Sequence, residues 1–126
     1  MKIAFQGELG ANSHIAIDEA YPGAEVLPCA TFEDALAGIS SGDADLGMIP
    51  IENSIAGRVA DIHHLLPHSG LFIVGEWFLP IRFQLMGVRG ARLGDIKWVE
   101  THVHALGQCR RMTRKLGLKP IVAADT

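Results

Sequence analysis

The sequence predicts an α/β fold built on a mostly parallel, doubly wound sheet. Segments of strand type alternate with segments of helix type along the whole chain, which is the pattern of βαβ units. Hydrophobic residues make up 48% of the 126 residues and the mean hydropathy is +0.23, while only 20% of the residues are charged. No apolar run approaches the roughly 18 residues of a transmembrane helix. The hydrophobic surplus therefore indicates a sheet that is covered on both faces.

Short apolar runs, and the residues that end them, define the predicted elements. The predicted strands are 2–5, 25–28, 46–51, 71–79, 81–88, 96–100 and 120–123. The predicted helices are 13–20, 31–39, 55–66 and 104–116. Thr31 followed three residues later by Asp34 is typical of a capping box, and Gly42 is typical of a helix end. Pro80 separates two apolar strands and is the predicted boundary between two fold units.

Composition and charge exclude several functional classes. The net charge of -3 argues against a nucleic-acid surface, and the basic residues within 110–115 are typical of the solvated face of one helix. Cys29 and Cys109 make no disulfide framework and fit a reducing cytoplasm. The segment 1–7 is too short to hold a signal-peptide core. We therefore expect a cytoplasmic protein with neither a nucleic-acid nor a membrane partner.

The strongest functional signal is the predicted strand 46–51, which stops abruptly at Glu52, Asn53 and Ser54. In an open α/β sheet, the carboxyl end of a strand and the start of the next helix form the usual ligand site. Unpaired N–H groups at such a helix start attract carboxylates or phosphates. Because a helix is predicted to begin here, Asn53 and Ser54 either cap that helix, which is the commoner role, or bind a ligand.

A second junction repeats this chemistry after Pro80. Thr101 and His102 follow the predicted strand 96–100 and lead into a helix that contains Gln108. Two such junctions, one on each side of Pro80, are expected to face each other across a cleft and to hold a small molecule with two anionic groups. Alternatively, Thr101 is a helix cap and Gln108 is a surface amide.

Other motifs are weaker. Gly7 and Gly10 supply two of the three glycines of a dinucleotide fingerprint, but they also let the backbone pass close to a ligand near Ser13. The six histidines lack a nearby cysteine pair or a HExxH pattern, so no metal site is expected. Cys109 has His102 and His104 in its neighbourhood of the sequence, yet a buried structural thiol is the better interpretation than a nucleophile.

Seven short segments, taken together, are far more specific than any one of them. They are Phe5-x-Gly7-x-x-Gly10 with Ser13, Pro28-Cys29-x-Thr31-Phe32, Gly42-x-Ala44-Asp45, Pro50-Ile51-Glu52-Asn53-Ser54-x-x-Gly57-x-Val59, Ile73-Val74-Gly75-Glu76, Leu79-Pro80-Ile81 and His102-x-x-Ala105-Leu106-x-Gln108-Cys109. In this order and at about this spacing, they resemble prephenate dehydratase. The resemblance covers the whole chain.

The resemblance implies a two-lobed fold of the periplasmic-binding-protein type II class, with doubly wound mixed sheets. Residues 1–79 would form lobe one, and residues 80–126 part of lobe two, so that the second lobe is incomplete. The family's later Thr-Arg-Phe motif and its regulatory ACT domain are absent from these 126 residues. The implied activity is the cytoplasmic conversion of prephenate to phenylpyruvate in phenylalanine biosynthesis, without a cofactor or metal. A homo-oligomer, dimeric or higher, is expected, and this chain alone is expected to be weakly active or inactive.

By resemblance, the catalytic residues are Asn53, Glu52, Thr101 and Gln108, with Thr101 at the family's usual serine. The implied substrate-binding residues are Ser13, Ser54, His102 and Ala105. The chain departs from the family pattern at Ala11, Asn12, Val103 and His104. The alternative function is a non-catalytic module of solute-binding type that binds small anions, because it would share the same architecture.

Overall fold

The computed structural model of the protein describes residues 1–55 and 57–123, which fall into two compact units. The first unit comprises Met1–Asn53 and Gly57–Ile81, and the second comprises Ser54, Ile55 and the described residues from Arg82 onward. The strands are β1 (Lys2–Gln6), β2 (Glu25–Cys29), β3 (Leu46–Gly47), β4 (Glu52–Asn53), β5 (Gly57–Arg58), β6 (Trp98–Thr101) and β7 (Lys119–Val122). The helices are α1 (Asn12–Ala20), α2 (Phe32–Ser41), α3 (Ala60–Leu65) and α4 (Val103–Lys115), with short 3-10 helices at Leu66–His68 and Leu93–Asp95.

A three-stranded parallel sheet in the order β2-β1-β3 forms the centre of the first unit. Side chains alternate across a strand, so the central strand β1 serves two cores. Ile3 and Phe5 pack with Ile17 of α1, whereas Ala4 packs with Ala35 of α2 on the other face. The two helices therefore cover opposite faces, which confirms the prediction of a doubly wound parallel sheet.

Local capping signals position α2 as the sequence predicts. Thr31 is the N-cap, and its Oγ1 accepts a hydrogen bond of 3.0 Å from the Asp34 N–H. Gly42 ends the helix with a φ of +87°, a left-handed conformation that glycine adopts without a steric penalty. The predicted strands 2–5 and 25–28 and the predicted helix 13–20 are confirmed as β1, β2 and α1 within one residue at each end.

The segment after β3 differs from the prediction. A strand over 46–51 is wrong beyond Gly47, since β3 contains only Leu46–Gly47, and Pro50 has no N–H to contribute to a ladder. A helix over 55–66 is wrong at Ile55 and at 57–59, because α3 begins at Ala60, and residue 56 lies outside the described residues. Instead, β4 and β5 form an antiparallel hairpin that pairs Asn53 with Gly57, whose φ is +82°.

The predicted strands 71–79 and 81–88 are also wrong. Neither segment joins a sheet among the residues that the structure describes. Most of their apolar side chains are consequently exposed, with 89% of Phe72, 81% of Phe78 and 85% of Met86 accessible. One contact ties the first segment to α1, a hydrogen bond of 3.3 Å from Trp77 Nε1 to Glu19.

The second unit contains a βαβ arrangement in which β6 and β7 pair in parallel and α4 connects them. Ala105 of α4 and Leu118 are buried. Arg114 and Lys115 lie in the last turn of α4, where their positive charge complements the helix dipole. The predicted elements 96–100, 104–116 and 120–123 are confirmed, with β6 shifted by two residues at its start and one at its end.

Candidate functional site

The topology of the first unit indicates one edge of its sheet as a candidate ligand site. In the order β2-β1-β3, the chain leaves β1 toward one side and later returns past it to form β3 on the other side. Ligands bind at such a switch point, outside the carboxyl ends of the strands. The segment after β1 contains Ser13 at the start of α1, and the segment after β3 contains Glu52 and Asn53.

The loop from Gly7 to Ala11, called the glycine loop here, connects β1 to α1. Gly7 and Gly10 have φ values of +119° and +91°, which let the chain reverse direction over a few residues. The Gly7 N–H donates to the Cys29 carbonyl at 2.9 Å, so the loop is attached to the end of β2. The Ala11 N–H donates to the Glu8 carbonyl at 3.0 Å.

The start of α1 has no side-chain cap. Its N-cap residue is Ala11, which carries no hydrogen-bonding side chain, and no acidic residue lies in the first turn. The first N–H groups of a helix have no partner within the helix, and they carry the positive end of its dipole. Ser13 lies in this first turn and is half-buried. The arrangement suits a carboxylate or phosphate that accepts from these N–H groups and from the Ser13 hydroxyl.

The β4–β5 hairpin places Asn53 half-buried and Glu52 exposed, opposite Arg58. The Ile51 carbonyl just before the hairpin accepts from the Val59 N–H at 3.1 Å and lies 3.3 Å from His63 Nε2. These contacts attach the hairpin to the start of α3. Since α3 begins only at Ala60, the expectation that Asn53 and Ser54 stand at a helix start is wrong, and so is the cap interpretation.

In the second unit, the predicted residues gather around the junction of β6 and α4. Thr101 is the last residue of β6, and its carbonyl accepts from the Ala123 N–H at 2.9 Å. The N-cap of α4 is His102, whose Nδ1 accepts from the His104 N–H at 3.3 Å. The alternative in which Thr101 caps the helix is therefore wrong.

Ala105 and Gln108 lie three residues apart on one face of α4. Ala105 is 2% exposed, so its first-turn N–H is the group through which it can contact a ligand. Gln108 is half-buried and lies in the second turn of α4.

Cys29, at the carboxyl end of β2, is a poor candidate for a nucleophile. Burial raises the pKa of the Cys29 thiol, the Asp34 carboxylate raises it further, and a backbone hydrogen bond with Phe5 acts in the opposite direction. A thiol with a raised pKa is a poor nucleophile at neutral pH. No group of three histidine, cysteine or acidic side chains comes together as a metal site within residues 1–55 and 57–123.

Sequence reasoning missed one residue of this edge, His14. Its Nδ1 accepts a hydrogen bond of 2.8 Å from the Gly10 N–H, and its ring stacks on Phe5 with the centroids 5.7 Å apart. The signal that could have found it is an imidazole four residues after a loop glycine. A groove of about 330 Å³ also exists between α2 and α3, and residues of those helices and the following 3-10 helix line it rather than the glycine loop.

Comparison with known proteins gives one consistent family. The family model described as prephenate dehydratase matches residues 3–126. A bifunctional N-acyl-homoserine lactone acylase/prephenate dehydratase of Komagataeibacter europaeus is 48% identical over 98% of this chain and 44% of its own length. Arogenate dehydratase/prephenate dehydratase 1 of Arabidopsis thaliana is 40% identical over 100% of this chain and 32% of its own length.

A solved structure also matches the whole chain. The prephenate dehydratase of Arthrobacter aurescens in complex with L-Phe superposes on the whole chain with a TM-score of 0.87 at 32% identity, and the match covers 43% of that protein. This likeness confirms the predicted α/β fold of the periplasmic-binding-protein type II class. The chain spans less than half the length of these relatives.

Proposed function

We propose, because the chain belongs to the prephenate dehydratase family, that it supplies substrate-binding and catalytic residues for the conversion of prephenate to phenylpyruvate. Membership confirms the resemblance seen in the sequence and places the chain among the prephenate and arogenate dehydratases, a family of aromatic amino-acid biosynthesis. What we propose beyond family membership is that the substrate is prephenate and that residues of this chain take part in its turnover.

The observation that carries the proposal is the uncapped start of α1 at the switch point of the sheet. Prephenate has a ring carboxylate and a pyruvyl carboxylate, so it needs two places that stabilise negative charge. The first turn of α1, with Ser13, suits one carboxylate. The first turn of α4 offers the Ala105 N–H beside the half-buried His102 for the other carboxylate, although this helix start, unlike that of α1, has a side-chain cap, since His102 accepts from the His104 N–H.

The chemistry needs few reacting groups from the protein. The carbon–oxygen bond to the ring hydroxyl breaks, and the hydroxyl leaves with a proton as water. The electron pair of the bond to the ring carboxylate enters the ring as carbon dioxide departs, and the ring becomes aromatic. Catalysis then consists of positioning the substrate and stabilising the charge that develops on the leaving oxygen.

The proposed roles follow from what each side chain can donate. The Asn53 amide, the Thr101 hydroxyl and the Gln108 amide are donors for the leaving hydroxyl or for a carboxylate. Glu52 is the proposed proton carrier, and its exposure leaves it free to exchange protons with water. Ser13, Ser54, His102 and Ala105 are proposed to bind the substrate.

The proposed organisation keeps residues 1–79 as lobe one and 80–126 as part of lobe two, in a cytoplasmic homo-oligomer that binds neither nucleic acid nor membrane. Of the helices in the described part of the chain, none combines the length and the apolar character that crossing a bilayer requires.

The test measures phenylpyruvate formation from prephenate, with the 126-residue chain beside a version extended to the length of its relatives. We expect the extended protein to turn over prephenate and the chain alone to do so weakly or not at all. Arogenate serves as the second substrate. An extended protein that binds prephenate without converting it would favour the non-catalytic binding module, and one that neither binds nor converts it would refute the proposal.

A second candidate function comes from the 48% identical relative, whose name includes N-acyl-homoserine lactone acylase. Hydrolysis of an amide needs an activated nucleophile or water, and the raised pKa of Cys29 makes that thiol unsuitable. The dehydratase is favoured because the family model that matches residues 3–126 is that of prephenate dehydratase. Release of homoserine lactone from an N-acyl-homoserine lactone by the extended protein, at a rate that exceeds its dehydration of prephenate, would reverse this preference.

A further inference from the structure

His14 is held on three sides in the first turn of α1. Its ring lies nearly parallel to that of Phe5, with an interplanar angle of 9° and the centroids 5.7 Å apart. Phe5 is fully buried in the core against α1. The Nδ1 atom accepts from Gly10 at 2.8 Å, and Nε2 lies 3.8 Å from Asp18 Oδ2. One side chain thus joins β1, the glycine loop and α1.

The hydrogen bond from Gly10 needs an acceptor on the His14 ring. A backbone N–H only donates, so Nδ1 must carry a lone pair to accept it. A protonated imidazole donates from both nitrogens and cannot accept. The Gly10 N–H would lose this partner if His14 became charged.

We propose that His14 is a positioning residue for the anion site. Its ring holds Gly10, and with it the glycine loop, in the conformation that presents the α1 N–H groups and the Ser13 hydroxyl to a substrate carboxylate. The proposal rests on the proposed function for the identity of that carboxylate, but the link between His14 and Gly10 stands on the geometry alone.

The charged groups around His14 would determine its contacts if the ring became protonated. Asp18 faces it from the same helix, and Glu8 is the charged residue of the glycine loop. The one charged residue of β1 is Lys2, which lies at the other end of that strand and pairs with Glu25 at 3.3 Å. A protonated His14 would therefore strengthen its pair with Asp18 as it releases Gly10.

Two substitutions separate the hydrogen bond from the stacking. His14→Asn keeps an acceptor oxygen close to the position of Nδ1, but it does not titrate and it removes the ring. His14→Phe keeps a ring against Phe5 but removes the acceptor. The matched control is His64→Asn, because His64 is exposed on α3 and lines the groove on the α2 side of the unit.

The experiment uses the 126-residue chain and NMR. At pH 7.5, the hydrogen exchange of the Gly10 amide should be about fivefold faster in the phenylalanine variant than in the wild type, because one hydrogen bond is lost. In the asparagine variant, the exchange rate should stay within about twofold of the wild-type rate.

Binding of prephenate at pH 7.5 provides the second measurement. We expect the phenylalanine variant to bind about five- to tenfold more weakly, and the asparagine variant and the His64 control to bind as the wild type does. Equal Gly10 amide exchange in the two His14 variants would overturn the proposal, and so would equal binding of prephenate by them. If neither the wild type nor any variant binds prephenate, the proposed function fails, while Gly10 amide exchange still decides whether His14 positions the loop.

Discussion

Two glycines of the first unit provide a matched pair of substitutions, Gly10→Ala and Gly42→Ala. Both residues have left-handed backbone conformations, with φ values of +91° and +87°. At both positions a Cβ atom would meet nothing within 4 Å. The cost of the added methyl group is therefore backbone strain alone, about 1–2 kcal/mol at each position.

The two variants should lose stability equally and differ in function. In a unit of this size, each kcal/mol lowers the melting temperature by about 4–8 °C. Gly10 lies in the glycine loop at the carboxyl edge of the sheet, whereas Gly42 ends α2 just before the amino end of β3. Strain at Gly10 displaces the start of α1 from the anion, so we expect about tenfold weaker binding of prephenate, equivalent to about 1.4 kcal/mol.

The assay combines thermal unfolding with titration of prephenate at a temperature well below both melting transitions. The Gly42 variant should bind within about twofold of the wild type, because its strain lies away from the site. Equal weakening in both variants would mean that binding follows overall stability. Unchanged binding in the Gly10 variant would mean that the glycine loop does not position the anion site.

Three further predictions concern other parts of the chain. In the extended protein, Asn53→Ala should lower turnover about 10- to 100-fold, the loss of one hydrogen bond to a charged group, and a collapse of the melting temperature with normal turnover in the folded fraction would contradict this. Because the pKa of the Cys29 thiol is raised, Cys29 should react with iodoacetamide at pH 8 more slowly in the folded chain than in urea. For the same reason the unfolded chain loses the thiol proton first, so the folded state should lose stability as the pH rises past the ordinary thiol value of 9.0. The 126-residue chain should self-associate through the exposed apolar side chains of residues 72–88. Light scattering should then give a mass that rises with protein concentration, and a constant monomer mass would refute this prediction.

Local signals were sufficient for the first four elements. The cap at Thr31 and the left-handed Gly42 define α2 without any information from distant residues. β1 is a run of apolar residues buried on both faces, as expected for the central strand of a covered parallel sheet. The sequence therefore predicted this part of the fold within one residue at the ends of β1, α1 and β2.

Strands that depend on a distant partner could not be predicted in this way. The segments 71–79 and 81–88 have the composition of strands, yet a strand forms only where another strand satisfies its backbone groups. No described residue of this chain pairs with them. An apolar run shows that a segment favours burial, but not that its partner is present.

The candidate site also depends on contacts that local sequence patterns do not predict. The polar residues after β3 predict a ligand site at the same carboxyl edge that the strand order indicates, but the helix expected to begin at Asn53 is wrong, since α3 begins at Ala60. A helix of six residues such as α3 has a small dipole, whereas α1 has nine residues and an uncapped start at the same edge. Strand order, which no local pattern reveals, is what places the segment after β1 beside the segment after β3. We therefore propose that α1 and the glycine loop bind the anion in the first unit, and that Asn53 contributes the hydrogen-bonding capacity of its own amide.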